Sequence, residues 1–190
     1  MTLLILGVFV WIAGHSFKRW APGARSALDG AVGTGPAKGV MALVHVTAVV
    51  LMVIGYRAAE VEPVYTPVPG IGHLTVALMF VALFLTGAAR GSGTARSWFR
   101  HPLLLGAVVW AFAHLLVNGD LASLILFGSL GLWAAGEIVL LNRVLEPWER
   151  PQRGTLKGDI IGGVISLVLL AVIAGIHIWL GHNPFLGTFG

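Results

Sequence analysis

Six long apolar blocks, each nearly free of charge, leave this chain few ways to fold. They are Thr2–Phe17, Ala37–Tyr56, Gly70–Ala89, His101–Val117, Asp120–Leu141 and Asp159–Leu180. A bilayer core of about 30 Å asks for about 20 such residues, with about 17 at the lower end. Only helices and closed barrels satisfy the backbone in lipid. The blocks do not alternate apolar with polar residues, so helices are expected and barrel strands are not. The expected fold class is all-α: a polytopic membrane protein with six transmembrane helices in one bundle, residues 1–190 forming a single domain. Composition points the same way. Apolar residues make up 57% of the chain and charged residues 11%, against about 25% charged in a soluble domain. A soluble enzyme and a disordered chain are both excluded. The absence of cysteine excludes disulfides, thiolate metal sites, iron–sulfur clusters, cysteine nucleophiles and covalent haem attachment.

Thr2–Phe17 has no basic start and no small-residue cleavage site, and Lys18 and Arg19 follow it instead of preceding it. It reads as a retained helix and not as a signal peptide. Lysine and arginine then set the orientation. Lys18, Arg19, Arg25 and Lys38 follow the first span. Arg90, Arg96 and Arg100 follow the third, and Arg143, Arg150, Arg153 and Lys157 follow the fifth. Only Arg57 falls on the other side. Both termini are expected outside, with these three loops in the cytoplasm. The net charge of +4 is therefore topology, and no nucleic-acid partner is expected. Ala21–Gly39 is rich in Gly and Pro and reads as an irregular loop, while Glu62–Gly70, with three prolines, reads as a stiff external turn. Trp98 and Trp148 fit interfacial anchors.

A polar side chain inside lipid is a functional candidate by default. His73, His177 and His182 fall near span ends. That leaves His15, His45, His101 and His114. Neutral imidazole is a common metal ligand, and two facing histidines hold a haem iron. A zinc site would need a third ligand, and no HExxH motif supplies one. Glu137, in the fifth span, has three readings: it reaches the surface, meets Arg143, or hydrogen-bonds a ligating histidine. Asn118-Gly119-Asp120 is a turn, with Gly119 suited to a helix end and Asp120 to an N-cap. Asn118 lies four residues after His114, on the same helical face, where it can orient that histidine.

Arg100-His101-Pro102-Leu-Leu-Leu-Gly106, followed by Trp110-Ala-Phe-Ala-His114-Leu-Leu-Val-Asn118-Gly119-Asp120, resembles the signature of the NnrU family. His15-Ser16 and His45 match as well. That family includes bacterial proteins associated with denitrification genes and the plant 15-cis-zeta-carotene isomerase. The resemblance implies an integral protein of the bacterial inner membrane that binds haem b, with His15 and His114 as axial ligands. It implies either redox-gated isomerisation of an apolar polyene or other lipid-phase substrate, or haem chemistry linked to nitric oxide metabolism. The isomerase carries a cysteine where this chain has Ala111, so a thiolate-dependent mechanism is excluded here.

Helical rise alone favours a different pair. At about 1.5 Å per residue, His15, His45 and His114 fall about 10, 12 and 18 Å above the inner boundary. Height nominates His15 with His45; the resemblance nominates His15 with His114, and helix tilt can absorb the difference. His45 is thus the substitute ligand, and His45 and Glu137 are expected to line the haem pocket. Two further readings stand beside this one. Haem can serve as a non-catalytic electron carrier or sensor. Arg100-His101-Pro102 also resembles membrane methyltransferases that bind S-adenosylmethionine, with Arg100 and His101 poised for an anionic group and Glu146 and Glu149 as a loose acidic pair. The bland alternative makes Arg100 a topology charge and His101 a helix cap.

Overall fold

The computed structural model describes residues 1–145 and 147–185. Among these residues the regular structure is helical, with two isolated β-bridges and no strand. The helices fall on the six apolar blocks to within a few residues. They are α1 (Thr2–Trp20), α3 (Thr34–Arg57), α4 (Gly72–Ala88), α5 (Pro102–Val117), α6 (Leu121–Val144) and α7 (Leu156–Trp179). One helix more, α2 (Pro22–Val32), stands where an irregular loop was expected. Proline at its first position is already set for helix and needs no N–H partner there. The ion pair of Arg25 with Asp29, one turn apart, supports it. Gly33, at φ 85°, stops it and lets α3 begin at the next residue.

Three helices, α3, α6 and α7, are 24 residues long and apolar enough to cross a membrane. On α7, Ile160, Ile161, Val164, Ile165, Leu167 and Val168 are all exposed, and Ser166 is its buried residue. Water would not tolerate such a surface; hydrocarbon chains would. The protein is a membrane protein.

The chain divides into two compact units, Met1–Glu62 and Pro63–Gly190. In the first, α1 and α3 pack closely over small residues. Gly55 lets the Leu4 backbone approach, and Gly7 lies against Met52 and Ala48. Leu4 and Ala48 are fully buried there. Without a hydrophobic force between helices in lipid, such close backbone approach supplies the attraction.

In the second unit, α4 packs on α5 and α7, and α5 packs on α6. Gly106 of α5 faces Ala82 and Thr86 of α4. Gly131 of α6 faces Ala111. The expected N-cap is present: Asp120 Oδ1 accepts from the Ser123 amide at 2.8 Å, and Oδ2 from the Ser123 hydroxyl at 2.6 Å. Gly119 has a different role from the one expected. Its φ is not positive; instead the Tyr65 carbonyl presses so close that a Cβ has no room. Val64 and Tyr65 both donate their amides to the Gly119 carbonyl, which pins the proline-rich segment onto the α5–α6 turn. Thr155 caps α7 by accepting from the Gly158 amide at 3.0 Å.

Candidate functional site

His15 sits on α1, one helical turn beyond Trp11. Its Nδ1 lies 3.0 Å from the Trp11 carbonyl oxygen. A carbonyl only accepts, so Nδ1 carries a proton. His45, from α3, meets His15 edge to face, with ring centroids 4.0 Å apart. Trp11 closes the group, its centroid 4.3 Å from His15 and 5.7 Å from His45. The sequence-derived heights had paired these two histidines, and the fold brings them together. Gly14 makes the room: a Cβ there would stand 3.0 Å from His45 Nε2. That nitrogen is buried and has no hydrogen-bond partner among the described residues. A buried polar atom left in this state costs about 1–3 kcal/mol.

His114 belongs to the second unit and repeats the arrangement of His15. Its Nδ1 lies 2.9 Å from the carbonyl of Trp110, again four residues earlier, which makes Nδ1 the donor there too. The Trp110 ring is 5.1 Å away. Phe127 stacks on the imidazole at 4.4 Å and 19°. Phe127 is delivered by a π-helical turn, Leu124–Gly128, inside α6. The expectation that Asn118 orients the His114 ring is corrected in detail. Asn118 Nδ2 donates to the His114 carbonyl at 2.9 Å, so it holds the backbone and not the imidazole. Tyr65 donates its hydroxyl to the carbonyls of Asn118 and Leu115 and tightens the same turn. Glu137 is buried in α6, at 7% exposure, and does not reach a surface.

Arg100 and His101 lie elsewhere in this unit, where α4 ends and α5 begins. They line a cavity of about 520 Å³ together with Arg90, Arg96, Phe99 and Trp148. His101 occupies the N-cap position of α5 but makes no capping bond. Its Nε2 instead faces Asn142 Oδ1 of α6 at 3.1 Å. Trp148 is covered by the Arg150 guanidinium, 5.5 Å above the ring. Of the acidic pair expected for a methyltransferase, Glu149 does not line this cavity, and Glu146 lies outside the described residues.

Among the described residues, no three His, Cys, Asp or Glu side chains gather as a metal-ion site. Trp11, Gly14 and Phe127 were absent from the sequence reading. A signal for the first was present: Trp-x-x-x-His occurs at Trp11–His15 and again at Trp110–His114. The π turn that brings in Phe127 has no residue signature.

A family model described as NnrU protein matches residues 3–184. No curated protein and no solved structure matches the chain.

Proposed function

The chain belongs to the NnrU family, and from that premise we propose that it is a haem-b protein of the bacterial inner membrane, tied to nitric oxide chemistry in denitrification. One observation carries the reading. His15 and His114 are each anchored through Nδ1 to a tryptophan carbonyl one turn earlier, which makes Nδ1 the donor and Nε2 the candidate ligand atom of each ring. Ligating histidines characteristically donate their other ring nitrogen in this way. The donor set fits bis-imidazole ligation in a chain that has no thiolate to offer. The buried Nε2 of His45 gives a second point of fit, since a polar edge of a bound cofactor would satisfy it. His45 itself stands beside His15 and not across an iron from it. Two imidazoles on opposite sides of one metal would need centroids about 6 Å apart, given metal–nitrogen bonds of about 2 Å, and these are at 4.0 Å. On the family resemblance we assign His15 and His114 as the ligands, with His45 beside His15 in the first unit and Glu137 as a buried carboxyl of the second.

When bound, haem would supply one-electron exchange and, only where one histidine is readily lost, a binding position for a small ligand such as nitric oxide. The protein's part would be to hold each ring in place, with Trp11 beside His15 in the first unit and Trp110 and Phe127 beside His114 in the second. Ala111 stands against the carotenoid-isomerase reading. It is 2% exposed and packs on Gly131, where the isomerase has a thiol.

We also propose six spans with both termini outside. In the second unit, His101 meets Asn142 and Thr94 meets Asp159. These contacts gather the ends of α4 and α6 with the starts of α5 and α7. Every lysine and arginine after Pro63 lies at that end: Arg90, Arg96, Arg100, Arg143, Arg150, Arg153 and Lys157. Such a concentration faces the cytoplasm.

The test is haem content per chain, measured as the pyridine haemochrome. His15→Ala and His114→Ala are each expected to lower it strongly, and His182→Ala to leave it unchanged. Equal haem retention in all three variants overturns the ligand assignment.

A further inference from the structure

The cavity where α4 ends and α5 begins combines an aromatic wall with groups that hydrogen-bond. At about 520 Å³ it lies within the size range of small-molecule sites, about 300–1,000 Å³. Its apolar lining comes from Phe99, Leu103, Leu104 and Trp148. Phe99 and Leu103 are exposed, so this lining continues onto the outer surface of the apolar helix α5. Arg150 lies over the Trp148 ring but does not line the cavity, so it braces the indole from outside. The polar lining includes His101, whose Nε2 faces Asn142 Oδ1 at 3.1 Å. An amide oxygen only accepts, so Nε2 donates there and Nδ1 is the ring nitrogen left to meet a bound molecule. Arg90 and Arg96 also line the cavity, and each guanidinium carries five N–H groups. The 3₁₀ turn Thr94–Ser97 that carries Arg96 is fastened by Asp159. Asp159 Oδ1 accepts from the Ala95 amide at 2.9 Å, and Oδ2 from the Thr94 amide at 2.9 Å and from the Thr94 hydroxyl.

We propose that this cavity binds the ring of a lipid-soluble quinone, as quinone or as quinol. A flat ring packs on aromatic side chains, which Phe99 and Trp148 supply. Oxygens at the edge of that ring need hydrogen-bonding groups of both kinds. His101 Nδ1 accepts from a quinol hydroxyl or, when protonated, donates to a quinone carbonyl. The N–H groups of Arg90 and Arg96 donate to a carbonyl in either case. A hydrophobic tail needs an apolar way out of the site, and the exposed Phe99 and Leu103 mark one. A phospholipid headgroup would use the guanidinium groups but would give the aromatic wall no flat partner. The proposal is independent of the haem reading: neither His15 nor His114 lines the cavity.

The experiment is native mass spectrometry of the full chain in detergent, titrated with decylubiquinone, with dioleoyl phosphatidylglycerol as the competing occupant. The wild-type chain is expected to take up one quinone per chain, saturably, and to keep it against an equimolar amount of the phospholipid. Trp148→Leu removes the indole from the aromatic wall and is expected to weaken binding about two- to tenfold. His101→Leu removes a hydrogen-bonding group and is expected to weaken it by a similar factor, about two- to tenfold. Trp98→Leu is the control, because Trp98 is exposed and next to Phe99 in the chain but does not line the cavity. It should bind as the wild type does. Trp148→Phe keeps an aromatic ring and should recover most of what Trp148→Leu loses, which separates a lost stacking partner from a disturbed fold. Absence of saturable one-to-one uptake overturns the proposal. So does equal weakening in Trp98→Leu and Trp148→Leu, which would mean non-specific partition. Displacement of the quinone by equimolar phosphatidylglycerol assigns the cavity to a phospholipid and overturns it as well.

Discussion

Replacing Gly7 with alanine tests the packing that brings His15 and His45 together. A Cβ on Gly7 would stand 2.7 Å from Met52 Cγ, 2.7 Å from the Met52 amide nitrogen and 2.8 Å from the Ala48 carbonyl oxygen. Methionine can swing away, but the amide and the carbonyl belong to the α3 backbone and cannot. Relief requires α1 and α3 to separate by several tenths of an ångström along a seam where Leu4 and Ala48 are fully buried. Overpacking of this kind costs about 1–3 kcal/mol, and contact with rigid backbone puts it toward the upper end. Alanine in a helix returns up to about 1 kcal/mol over glycine. The net loss is about 1–2 kcal/mol, or about 2–8 °C in Tm for a chain of this size. The assay is thermal unfolding of the purified protein in detergent, followed by tryptophan fluorescence. Gly39→Ala, on α3, is the control, because a Cβ there meets nothing within 4 Å. It should melt at or above the wild-type temperature. If Gly7→Ala melts no lower than Gly39→Ala, the close seam between α1 and α3 is wrong, and the placement of His45 beside His15 loses its support.

Asp120→Ala removes the cap of α6 and the partner of the Ser123 hydroxyl. It is expected to lower stability by about 1 kcal/mol, within about 0.5–2, and an unchanged Tm would contradict the cap. Tyr65 sits in the segment before α4, where burial first and the nearby charge of Asp120 second raise its hydroxyl above the ordinary 10.0. The folded state thus favours the neutral phenol. Its contribution is fully present below pH 10 and is lost as pH rises through the raised folded value. Melting profiles from neutral to strongly alkaline pH should show this loss in the wild-type chain and not in Tyr65→Phe; parallel profiles would refute it.

Much of the fold is legible because lipid is a strict solvent. Each of the six blocks was legible as a helix because its apolar run lacks the alternation of a barrel strand, and the chain of Ile, Val, Leu and Ala shows where each starts and stops. Asp120 was legible for the same local reason: a short acceptor before an apolar run caps a helix. The segment from Ala21 to Gly39 was misread because its Gly and Pro content was counted without regard to position. Pro22 opens a helix and Gly33 closes one, so the same residues that suggest a loop bound α2. The role of Gly119 was hidden because it depends on Tyr65, far away along the chain. The π turn at Leu124–Gly128 was hidden because a slipped hydrogen-bond register leaves no mark on residue identity.

The site was legible in part. Helical rise alone paired His15 with His45, and they do meet. The repeated Trp-x-x-x-His spacing was there to be read and explains why an indole ring stands beside each of His15 and His114. What Phe127 does to His114 could only be seen in three dimensions. So could the engagement of Asp159 by Thr94 and Ala95.

The most direct test of the haem assignment is the absorption spectrum of the purified wild-type chain, expressed with a haem precursor and recorded oxidised and then reduced. The account predicts a Soret band that shifts on reduction, with sharp bands of six-coordinate b-type haem and near one haem per chain. A well-folded preparation, melting cooperatively yet colourless in both states, would contradict it.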